Sequence, residues 1–113
     1  MHLWTDQQRE ALLLLADMFI GQGQLEKARV VLEGLDDIEP DRREVIKALS
    51  LAYLRAGRHE DALAATERFL RLSAVDPSTS PILLIRGRAL IGMGRDDEAR
   101  ESFARYLELS EDR

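Results

Sequence analysis

Apolar positions recur along this chain at the three- and four-residue spacing of helices, broken every dozen or so residues by glycine, proline or a polar cluster. The pattern predicts helices over about 6–21, 25–36, 41–56, 59–73, 81–92 and 96–109, and no strand. Each start has a visible signal. Thr5 with Gln8 makes a capping box, Asp41 with Glu44 repeats it with an acidic cap, and Pro81 after Ser80 takes the first helical position. The second, fourth and sixth helices open on acid, at Glu26, at Glu60 and Asp61, and at Asp96, Asp97 and Glu98, where negative charge meets the positive end of the helix dipole. An abundance of Ala, Leu, Glu and Arg agrees with an all-α chain.

The breaks repeat as well. "GQGQLEKARVVL" from Gly21, "RAGRHEDALAAT" from Arg55 and "GMGRDDEARESF" from Gly92 spell one turn and helix start three times. Gly23 and Gly57 are 34 residues apart, as are Ala28 and Ala62, whereas Gly57 to Gly94 and Ala62 to Ala99 are both 37. The three extra residues fall in "SAVDPSTSP", which lengthens a loop without disturbing either helix pair. A chain that reverses between antiparallel helices in about three residues favours glycine in a left-handed conformation, and a small alanine after it lets the helices approach closely.

This period and its residues resemble the tetratricopeptide repeat family. Leu12, Leu15, Ala16, Phe19, Gly23, Ala28, Leu32 and Pro40 fit its pattern in the first repeat, and Ile46, Leu49, Ser50, Tyr53, Gly57, Ala62, Thr66 and Phe69 in the second. Leu83, Gly87, Leu90, Gly94, Ala99, Phe103 and Tyr106 fit in the third, where Arg86 departs from the usual apolar residue. The resemblance implies three tetratricopeptide repeats, about 6–40, 41–77 and 79–113, whose six antiparallel helices form a short right-handed superhelix within one domain, 1–113.

In that family the first helix of each pair lines the concave face. Carried over, this gives Leu13, Asp17 and Ile20, then Lys47, Leu51 and Leu54, then Leu84, Arg88 and Ile91: an apolar partner-binding groove edged by charge. It would suit an amphipathic helix or an extended peptide, with Asp17, Lys47 and Arg88 fixing its orientation. The competing reading makes some of these leucines ordinary core. "ALLLLADMFI" is apolar nearly all round although it opens the array, and Phe103, Tyr106, Leu107 and Leu109 lie on a last helix with no successor, so both ends are expected to be partly uncovered. Trp4 either anchors a contact there or folds back on its own helix.

Charge and chemistry narrow the function. Sixteen basic and twenty-one acidic residues give a net charge of −5 without a basic stripe, so no nucleic acid partner is expected. No stretch approaches the roughly 20 apolar residues of a membrane span, and no direct membrane insertion or signal peptide is expected. The chain has no cysteine, and His2 and His59 stand at no ligand spacing, which leaves no metal or cofactor site and agrees with a cytoplasmic setting. No nucleophile, base and orienting group come together, so an enzyme is not expected. Asp36-Asp37 and Asp96-Asp97 read as caps or solvated charge. The clamp by which other tetratricopeptide domains grip a chaperone's terminal carboxylate is also excluded, since its Lys, Asn and Arg places hold Leu13, Asp17, Ala48, Pro81 and Ile85.

Both ends carry a closer likeness. "TDQQREALLLLADMFIGQGQLEKARVVLEGL" and "GRALIGMGRDDEARESFARYLELSED" resemble the YscY family of small type III secretion chaperones. That resemblance implies a cytoplasmic bacterial protein that binds a small YscX-like export substrate and docks with it on the cytoplasmic domain of a YscV-like export gate; the uncovered ends leave room for a homodimer when the partner is absent. A chaperone for a needle subunit or a translocator, and a self-associating scaffold, are the alternatives.

Overall fold

A computed structural model describes residues 4–111. His2, Asp112 and Arg113 lie outside them. The described residues form six helices and no strand: α1 (Asp6–Gly21), α2 (Leu25–Ile38), α3 (Arg43–Arg55), α4 (His59–Leu72), α5 (Pro81–Gly92) and α6 (Asp96–Glu111). Consecutive helices pack against each other, and α1 also meets α3 and α3 meets α5. The result is three helical hairpins stacked into a body of 45 × 28 × 24 Å.

One turn closes all three hairpins. Gly23, Gly57 and Gly94 have φ of 76°, 76° and 74°, the left-handed region that costs a side chain roughly 1–2 kcal/mol. In each turn the glycine N–H donates three residues back and the next N–H five residues back: Gly57 to the Leu54 carbonyl at 3.0 Å and Arg58 to Tyr53 at 2.9 Å, for example. These are the paired bonds of a Schellman closure, and they satisfy carbonyls that a helix end would otherwise leave open. The following helix then starts at once, after Gln24, Arg58 or Arg95, and neither Gln24 nor Arg58 makes a side-chain cap bond. Arg58 instead pairs with Asp61 at 2.8 Å and Arg95 with Glu98 at 2.6 Å.

Within each hairpin the helices cross where the first carries a small residue. Ala16, Ser50 and Gly87 occupy the same place in successive repeats, and all are buried. Their counterparts on the second helices are Leu32, Thr66 and Phe103, so the smallest residue of the first set is matched with the largest of the second. The third crossing shows why. A methyl group on Gly87 would sit 2.5 Å from the Phe103 ring, inside van der Waals contact. Ser50 lies fully buried and donates its hydroxyl to the Ile46 carbonyl at 2.9 Å, and Thr66 donates to Leu63 at 2.7 Å, so neither leaves a polar group unmet.

The helix starts follow the sequence signals unevenly. Thr5 and Gln8 form the expected reciprocal capping box. Asp41 does not cap α3: the helix begins one residue further on, with Arg42 at the cap position and no side-chain bond there. Arg68 of α4 holds the carboxylate instead, reaching Asp41 at 3.2 Å and both oxygens of Asp36 at 2.9 and 3.0 Å, and Asp41 takes a left-handed φ of 66°. Pro81 does stand in the first turn of α5, and Ser80 makes no cap bond to it. The long loop carries its own order. The Asp76 carboxylate accepts from the Ser78 hydroxyl at 2.6 Å and from the Thr79 and Ser78 N–H groups at 3.1 and 2.8 Å, and these bonds, the hydroxyl's first, hold its carboxyl below its ordinary pKa, while Thr79 Oγ1 accepts from the Asp76 N–H at 3.0 Å.

Arg86, the departure in the third repeat, lies at a three-helix corner. Its guanidinium donates to Ser102 of α6 at 2.5 Å and stands 3.7 Å from Glu67 of α4, so a charged residue serves where the family uses an apolar one.

Gly87→Ala tests the third crossing. Helix propensity gains it about 1 kcal/mol, while overpacking against Phe103 costs about 1–3 kcal/mol. Denaturant unfolding should show a net loss, and the same substitution in a Phe103→Leu chain should cost less, because the smaller side chain yields.

Candidate partner-binding groove

The groove lies between α1 and α3. Residues 13, 17 and 20 fall on the side of α1 that turns toward α3, because three- and four-residue steps hold one helical face. Opposite them α3 presents Glu44, Lys47, Ala48, Leu51 and Arg55, and Ile85 of α5 reaches the far end. Together with Gly21 these residues enclose about 530 Å³. Leu13, Ile20 and Ile85 are nearly buried and form the floor, Ala48 and Leu51 are half-buried, and Asp17, Glu44, Lys47 and Arg55 stand exposed around them. Arg55 also donates to the Ile20 carbonyl at 3.4 Å, tying the end of α1 to α3.

A second depression of about 500 Å³ lies between α4, α5 and α6. Glu67, Arg71, Arg86, Glu101 and Arg105 line it, and its charged walls offer no apolar floor comparable to that of the first.

Five of the nine sequence-derived groove residues therefore come together: Leu13, Asp17, Ile20, Lys47 and Leu51. The other four are placed elsewhere. Leu54 is 8% exposed and belongs to the core shared with α4, α5 and α6. Leu84, Arg88 and Ile91 lie on α5 outside the lining. Lys47 and Leu51 share the register of Leu13 and Asp17 and line the groove with them, whereas Leu84 and Arg88, in that same register on α5, lie outside it, so register alone does not decide which helix a residue meets. Gly21, Glu44, Ala48, Arg55 and Ile85 are the lining residues that the repeat-by-repeat transfer left out, and of these Ile85 adds most to the apolar floor. Its alignment with Ala48 was the available signal.

Charge is divided across the groove. Burial raises the Asp17 pKa above the ordinary carboxylate value, repulsion from Glu10 raises it further, and the Lys47 ammonium offsets part of the rise. Glu10 is itself held by Arg42 at 2.6 Å, and Arg42 also meets Glu44 at 3.3 Å, so the N-terminal rim is already neutralised by an internal network. Asp17 and Lys47 have no such partner within 4.0 Å among the described residues, and their charges remain available to a ligand. No group of three or more His, Cys, Asp or Glu among these residues could hold a metal ion, and no helix is long and apolar enough to cross a membrane.

Three stacked hairpins with an alanine at each crossing and a groove on the first-helix side define a helical-repeat scaffold. A tetratricopeptide repeat family model matches residues 47–113, more than half of the chain, and a second tetratricopeptide repeat model matches residues 10–41. The chain belongs to the tetratricopeptide repeat family, whose domains generally bind protein partners. It is similar to protein O-mannosyl-transferase TMTC1 of Homo sapiens, 29% identical over 106 residues, which make up 93% of this chain and 12% of that protein. The likeness is thus to a small part of a far longer chain.

Asp17 supplies a pH test. Because its folded pKa is raised, its contribution to stability is largest where it is protonated and is lost as pH rises through the folded value. Asp17→Asn should therefore raise the thermal midpoint at pH 7, and the gain should vanish below about pH 4, the ordinary carboxylate range.

Proposed function

We propose that the chain is a binding protein without a catalytic step of its own, and that it holds a helical or extended segment of a partner protein in the groove between α1 and α3. The observation that carries this reading is an apolar floor of Leu13, Ile20, Leu51 and Ile85 flanked by an acid and a base, Asp17 and Lys47, neither of which has an ion-pair partner within 4.0 Å among the described residues. Aliphatic anchors supply the affinity of such a site and the two charges set direction.

The resemblance of both ends to the YscY family supports a finer assignment. In it the ligand is a small YscX-like export substrate, and the chain acts on the cytoplasmic side of a bacterial membrane as a type III secretion chaperone that brings its partner to a YscV-like export gate. A chaperone for another export substrate, a needle subunit or a translocator, uses the same groove. The likeness to a segment of human TMTC1 bears on the repeats alone.

Light scattering of the chain co-expressed with a YscX-like protein tests both levels. A stable complex is expected, and Leu51→Glu or Lys47→Glu should abolish it while circular dichroism shows unchanged helicity. Loss of helicity in Leu51→Glu alone would make that side chain core, and Lys47→Glu, at an exposed position, then carries the test. A complex insensitive to both substitutions would move the partner off the groove.

A further inference from the structure

The two ends of the array expose the positions that its internal junctions bury. Aligned on the turn glycines, Leu14 corresponds to Ala48 and Ile85, and Met18 to Ala52 and Ala89. Inside the array Ile85, Ala52 and Ala89 are 8%, 1% and 0% exposed, covered by the hairpin before them. On α1, which among the described residues touches only α2 and α3, Leu14 and Met18 are 57% and 58% exposed. The opposite end shows the converse. Ile91 corresponds to Ile20 and Leu54, which are 5% and 8% exposed within clusters that reach into the following repeat, yet Ile91 is 53% exposed. Leu107 corresponds to Leu70, packed against the core, and to Asp36, paired with Arg68, and is itself 58% exposed with neither kind of partner among the described residues.

The two open faces differ from the internal ones in complementary ways. At the second junction Glu67 of α4 meets Arg86 of α5 at 3.7 Å. The positions aligned with that pair at the open ends are Ala104 and Leu15, so an ion pair inside the array is matched by an apolar pair outside it. Size shifts in the same sense. The incoming face is larger at Met18, where both internal faces carry alanine, Ala52 and Ala89, and the receiving face is smaller at Ala104, in place of Glu33 and Glu67. At these positions both open faces are apolar where the second junction carries an ion pair.

We propose that the chain stacks head to tail on a second copy of itself, α1 of one copy docking on α5 and α6 of the next in the register that the internal junctions use. Such a contact joins two different surfaces, so it leaves one of each free and propagates instead of closing at two copies. Leu13, Lys47 and Leu51 take no part in it, and it stands or falls independently of the groove.

Sedimentation of the 12.8 kDa chain alone over a wide concentration range tests this. The mass should climb past two copies. Met18→Glu and Leu107→Glu, both at positions more than half exposed, should each stay at one copy with helicity retained. Mixed, they should form a one-to-one dimer that grows no further, since each still carries the face that the other has lost. A wild-type chain that stays at one copy, or that stops at two, would overturn the proposal, and so would a Leu107→Glu chain that associates by itself, which would place the contact face to face through α1.

Discussion

Close approach of two helices at a small side chain is the constraint on which the rest of this structure depends. The left-handed glycine reverses the chain in three residues, and Ala28, Ala62 and Ala99, at 0%, 0% and 2% exposure, then enter the crossing. A larger residue there would separate the axes, and the facing Ala16, Ser50 or Gly87 would lose its partner atoms. The crossings pair Ala with Leu, Ser with Thr and Gly with Phe, and the first and third reach nearly the same combined volume by opposite choices of size.

Much of this was legible because a repeat states its geometry several times. Gly23, Gly57 and Gly94 occur at matching places, and all three have the positive φ that their position in the turn requires. The capping box at Thr5 was legible for a related reason: both partners lie within one turn. Asp41 was misread because its competitor, Arg68, is distant in sequence and arrives only when α4 packs. The capped turn at Asp76 lay hidden in a stretch rich in Pro, Ser and Thr, where loop and cap chemistry use the same residues. Arg86 read as a defect, since Ser102 and Glu67 are not its neighbours along the chain.

The groove was legible in part for a different reason. Repetition gives the register of a residue but not which neighbour it meets. Ile20, Leu54 and Ile91 occupy one register, yet the first lines a groove, the second is core and the third is exposed. Their fates are set by what stands in front of each helix, and that changes from one repeat to the next. Residue-by-residue transfer works for contacts within a hairpin, which every repeat contains, and weakens for contacts between hairpins.

The short span of the groove limits what it can hold. Its lining runs from α1 across α3 and touches α5 only at Ile85. Two helix-to-helix steps at the usual 8–10 Å separation give a track of about 16–20 Å. An extended peptide at roughly 3.3 Å per residue covers that distance with about five or six residues, and a helix at 1.5 Å per residue with about eleven to thirteen. A segment held there would be short and linear, of a size that a partner can carry in a flexible tail without presenting a folded domain.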